Sequence, residues 1–148
     1  MNMTNVSAIP LEFWQDPQGD VLLLRGEHEC SVYFACWSAP AEPADFIGHL
    51  SFAGASAVHS YTREFSPYHL AEYHHRSFIL QVAESRLLQE NIDYQGLHYP
   101  KSPRIQMKHF VVMGHDIYHE ILAVGFTAST IPAKTIQDPR LLELIRNA

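Results

Sequence analysis

The sequence is short of charge, cysteine and long apolar runs, and each shortage closes a class of function. Charged residues make up only 18% of its 148 positions, against about 25% in an average soluble domain. Ten Lys and Arg stand against sixteen Asp and Glu, for a formal charge of −6. There is no basic run, and the densest basic stretch is Lys101, Arg104 and Lys108. A phosphate backbone would find few cations to exchange for its counterions, so nucleic acid is not an expected partner. The apolar runs are far below the roughly 20 residues a membrane helix needs. The opening Met1 to Pro10 has no basic segment followed by an apolar stretch, so the expectation is a soluble cytoplasmic protein.

Cys30 and Cys36 are the two cysteines. Both fall in a strand-like segment, where six residues at roughly 3.3 Å each set them about 20 Å apart. A disulfide needs Cα atoms within about 7 Å, so they cannot pair with each other. They read as small buried hydrophobes with reduced thiols.

Catalytic signatures are also missing. No G-x-S-x-G occurs, and Gly54-Ala55-Ser56-Ala57 lacks the second glycine. There is no dinucleotide fingerprint and no phosphate-binding loop of the usual kind. Neither cysteine opens a helix, where a thiolate would be favoured.

Hydrophobic residues are plentiful at 47%, enough for one domain spanning residues 1–148 with its own core. Strand patterns cover Leu11–Trp14, Val21–Arg25, Cys30–Trp37, Phe46–Phe52 and Val58–Thr62. Asp16-Pro17-Gln18-Gly19 suits a type I turn, and Gly26 to Glu29 forms a second turn. Cys30–Trp37 is apolar on both faces, as a central covered strand would be. Pro40 to Asp45 reads as a loop, because its two prolines lack ladder donors.

Ser66-Pro67 resembles a helix start, and no Gly or Pro follows from Tyr68 to Gln95. One helix of that length would reach about 40 Å, so a break near His74-His75 is expected. The main helix would run from Arg76 to Asn91, with Ile79, Val82, Ala83 and Leu87 as its apolar stripe and Gly96 beyond its end. Ile105–Met113 and Tyr118–Ala128 give the strongest strand signal and frame a hairpin turn at His115-Asp116. One hairpin face would carry Met107, Val111, Met113, Tyr118, Leu122, Val124 and Phe126. Asp138-Pro139 caps a closing helix, Arg140–Arg146, with Leu141, Leu142 and Ile145 inward. The result is an α+β fold of about six strands, mainly antiparallel, in the order β-β-β-β-α-β-β-α, with the long helix on one sheet face.

Two histidine groups invite chemistry. His69, Glu72 and His75 would share a helix side, a donor set suited to Zn or Fe. On the hairpin, a two-residue turn would set Met113 opposite Tyr118 and Glu120 opposite Val111. In that register Glu120 lies diagonal to His109 and His119 points to the other face, so His109, His115, Asp116, His119 and Glu120 cannot all hold one metal; a shift of the turn by one residue would regroup them, and the sequence leaves that register open. There are ten histidines, and charging them all would turn −6 into +4, a strong lever near pH 6.5.

Aromatic residues crowd the first half, and Tyr33, Trp37, Tyr61, Tyr68 and Tyr73 are candidates for lining a ligand pocket. With so little charge, part of the surface is expected to be hidden in a homo-oligomer such as a dimer. The leading reading is a non-enzymatic, homo-oligomeric module that binds a small molecule or a protein. A metal-dependent enzyme using His69, Glu72 and His75 is the alternative, and a pH-responsive interaction protein the second.

Overall fold

A computed structural model describes residues 6–68, 77–103 and 105–146. It is an α+β fold of two five-stranded antiparallel sheets and two helices. The strands are β1 (Val6–Ala8), β2 (Trp14–Gln15), β3 (Val21–Arg25), β4 (Cys30–Ala39), β5 (Glu42–Ala53) and β6 (Ala57–Thr62). They continue with β7 (Ile79–Val82), β8 (Lys108–Met113), β9 (Ile117–Ala123) and β10 (Gly125–Pro132). Helix α1 spans Arg86–His98 and α2 spans Pro139–Arg146. One sheet runs β1-β7-β8-β9-β6; the other runs β10-β5-β4-β2, with β3 also paired to β4.

The core lies between the sheets. Inward residues of β4 and β5 (Val32, Phe34, Cys36, Leu50 and Phe52) meet Ile79, Phe110, Val112 and Ile121 of the other sheet. The opposite face of β4 is covered as well: Tyr33 and Ile47 pack beneath Leu144 of α2. Seven consecutive residues, Cys30 to Cys36, are therefore buried, as the two apolar faces of that segment require. Both thiols are free and buried, and burial pushes Cys36 up to about 12.

Two chain segments cross from sheet to sheet side by side. β5 passes through Gly54 into β6, and β9 passes through Val124 into β10. The Val124 N–H donates to the Ala53 carbonyl, and the Ser56 N–H to that of Leu122. The pairs β5–β10 and β6–β9 thus form one bent ribbon. At the opposite seam, the buried Gln15 side chain donates to the Met113 carbonyl and accepts from the Phe78 N–H.

The α+β, antiparallel character and the final helix follow the sequence reading, and the differences have physical causes. The described strands number ten because the chain makes two sheets. Pro40–Asp45 is a tight turn at Pro40-Ala41 rather than a loop, with Ala41 at φ 62°. β5 begins at Glu42, and Pro43 is tolerated because the β4–β5 register slips beside it. Val124 divides the run from Tyr118 to Ala128, so Phe126 packs with Phe52 and Phe110 inside the core, away from the face of Val111 and Met113. Ile105 to Met107 stay outside the ladder.

The larger correction concerns the long helix. Ile79–Val82 is a strand between β1 and β8, with Ile79 and Leu80 fully buried on opposite faces. A short apolar run buried on both sides satisfies helical and strand periodicity alike. Helix α1 starts later, where Ser85 caps it by accepting from the Leu88 N–H. It runs through Gly96 to His98 and buries none of its residues.

Candidate functional site

Two features on the outer side of the β8 sheet carry polar groups in unusual positions. The first is a chain of four side chains, three of them buried and Ser85 half-buried. Hairpin register pairs Met113 with Tyr118 and Val111 with Glu120, so Glu120 and His109 share the outward face. Nε2 of His109 lies 3.3 Å from Oε1 of Glu120, within ion-pair reach but off the line of a hydrogen bond. Nδ1 of His109 meets the Ser85 hydroxyl at 2.6 Å. Tyr68 donates its hydroxyl to Glu120 from the other side.

Burial alone would raise the Glu120 carboxyl, but contact with His109 and the Tyr68 hydrogen bond outweigh it and hold the group below its ordinary range. Tyr68 moves the opposite way, raised by burial and by the acceptor it serves. Ser85 is thereby used twice, as the cap of α1 and as the partner of His109. The network joins α1, the β8–β9 hairpin and the segment before residue 69 into one brace.

His119 projects from the other face, bonded through Nδ1 to Ser60 at 2.7 Å, and burial lowers its pKa. His115 and Asp116 occupy the turn, where the Gly114 N–H donates to the Ile117 carbonyl. They border a cavity of about 350 Å³ shared with Asp20, Arg140 and Glu143. His69, Glu72, Tyr73 and His75 lie outside the described residues. Among the described residues, no group of three or more His, Cys, Asp or Glu could hold a metal.

The second feature is a groove of about 410 Å³, within the size range of small-molecule sites. Helix α1 supplies Asn91, Tyr94 and Gln95 as one wall. The chain leading to β8 supplies Tyr99, Pro103, Ile105 and Met107 as the other, and the sheet-crossing turn supplies Gly54 and Ser56. No described lining residue is charged. Tyr94 is 59% exposed and Leu97, next along the helix, 77%. Oδ1 of Asn91 is buried with no hydrogen-bond partner among the described residues, an omission that costs about 1–3 kcal/mol when nothing fills it.

The pocket candidates from the sequence lie elsewhere. Tyr33 stacks on His49 with centroids 4.5 Å apart, and Trp37 tilts against Trp14. Tyr61 and Tyr68 both contact Tyr118 and are the only two of the five that the described structure gathers. In sequence, 97–104 reads as a plain loop, which hides the groove residues. The available signal was Tyr94, Leu97 and Tyr99 on a segment with no apolar stripe to bury them.

No protein-family model matches the chain, and neither a curated protein nor a solved structure does. No described helix is long and apolar enough to cross a membrane.

Proposed function

We propose that the chain is a non-enzymatic binding module that takes a small molecule into the groove beside α1 and assembles as a dimer. The observation that carries the ligand half is the groove of about 410 Å³ whose described lining residues carry no charge. The brace supports a binding role over an acyl-transfer role. A catalytic serine contacts Nε2 of its histidine and leaves Nδ1 for the acid, whereas Ser85 faces Nδ1 and Glu120 faces Nε2. The Ser85 oxygen is also committed to the helix cap, and neither cavity is lined by it.

The dimer half rests on β10. This strand ends its sheet, exposes Thr127 to Thr130, and has no ionisable side chain along eight residues. Edge strands usually carry charge to prevent association. In a chain of net charge −6, two copies meet with least repulsion along such an edge, antiparallel about a two-fold axis.

Amide chemical-shift mapping with a set of neutral fragments tests the groove. Shifts gathered on Asn91, Tyr94 and Met107 are expected, and a set that moves none of them overturns the ligand half. Light scattering tests the edge. A dimer that becomes monomeric in Ser129→Lys is expected, and a monomeric native chain overturns the dimer half.

A further inference from the structure

The charge beside the groove narrows its ligand to one chemical class, an inference that rests on the groove being a binding site. Two tyrosine rings, Tyr94 and Tyr99, and the Met107 thioether line it, and such surfaces favour flat, polarisable molecules. The charge belongs to the chain that forms the wall leading to β8. Between Asp93 and Asp116 the sequence has no Asp or Glu, yet it holds Lys101, Arg104 and Lys108. Lys101 adjoins the lining residue Ser102, and Lys108 adjoins Met107. Both lysines are exposed, and among the described residues neither ammonium has a carboxylate partner. The chain has a net charge of −6 and only three lysines, and two of them stand beside this groove.

The opposite wall does not cancel them. Helix α1 carries two carboxylates, Glu90 and Asp93, next to its lining residues Asn91 and Tyr94. Glu90 is paired with Arg86 at 3.1 Å, and Asp93 accepts from the Gln89 amide at 2.8 Å. That leaves one uncompensated carboxylate against two ammonium groups. An exposed ion pair is weak, so the apolar lining holds the body of a guest and the lysines select the charge at its end. We infer that the groove binds a flat aromatic molecule carrying one anionic group, its rings among Tyr94, Tyr99 and Met107 and its anion turned outward to Lys101 and Lys108.

Probes of one shape and different charge provide the test: 2-naphthoate, 2-naphthamide and 2-naphthylmethylamine, the last a cation at neutral pH. Each is titrated into the full-length protein and read by amide shifts at Tyr94, Gln95 and Met107. The carboxylate is expected to bind about five-fold tighter than the amide, and the amine weakest of the three. This preference should shrink in high salt and vanish in the double variant Lys101→Gln with Lys108→Gln. Lys134→Gln, which changes the third lysine, beyond the Pro132 end of β10, should leave it intact. A parallel titration with 2-naphthyl phosphate tells the two common anions apart, since the tighter of the two anionic probes identifies the head group. Equal binding of carboxylate and amide overturns the charge assignment while leaving the groove as a binding site. A tighter amine overturns it as well, as does a preference that ignores salt or survives in the double variant. Failure of every probe to shift these amides overturns the groove reading itself.

Discussion

Ser85 stands at the junction of helix and sheet, and Ser85→Ala measures what that junction is worth. The substitution removes the acceptor for the Leu88 N–H, a cap loss of about 1 kcal/mol. It also strips Nδ1 of His109, whose side chain is 3% exposed, of its partner at 2.6 Å. A buried polar atom left unpaired costs about 1–3 kcal/mol. The sum, about 2–4 kcal/mol, is a large share of the 5–15 kcal/mol that typically holds a domain together. For a chain of this length it corresponds to a fall in Tm of about 5–15 °C. Urea unfolding followed by circular dichroism gives the difference directly. Ser85→Thr, which keeps the hydroxyl, should stay near the native value. The double variant with His109→Phe should show a coupling of about 0.5–3 kcal/mol, as expected for groups in one network. If Ser85→Ala lies within about 0.5 kcal/mol of the native protein, the brace contributes nothing and the reasoning fails.

Acid should destabilise the fold early. Burial lowers the pKa of His119 and of His49, so the unfolded chain binds more protons than the folded one as pH drops past about 6.5. The stability these two groups confer is complete above that value and declines below it. The urea midpoint should be lower at pH 5.5 than at pH 7.5, with a smaller drop in His119→Gln; identical midpoints would contradict the burial argument. Gly48 faces Phe34 across the β4–β5 ladder, and an added Cβ would overlap that ring and come 2.9 Å from Phe13. Gly48→Ala should therefore cost about 1–3 kcal/mol, and a neutral result in chemical denaturation would show that the rings can move aside.

The hairpin and its turn at His115-Asp116 were legible in the sequence, but its register was not: a shift of one residue would regroup the side chains, and the observed pairing of Met113 with Tyr118 decides which face receives Glu120 and which His119. Segments with two apolar faces were legible as buried, as Cys30–Cys36 demonstrates. Ile79–Val82 was not, because its choice between helix and strand depends on β1 and β8, which lie far away in sequence. Division into two sheets was hidden for the same reason: Val124 resembles its strand neighbours, and only its bond to Ala53 marks the corner. His109 and Glu120 could be placed together from register. Ser85 and Asn91 could not, since the sequence pattern puts the first in mid-helix and the second at a helix end, positions with no special role.

The bent ribbon has a mechanical consequence. Because the same two chain segments edge both sheets, neither sheet can rotate on the other without bending the backbone at Gly54 and Val124. Gly54 and Ser56 also form one side of the groove. A change of backbone at this one corner therefore moves the groove wall and the seam between the sheets together.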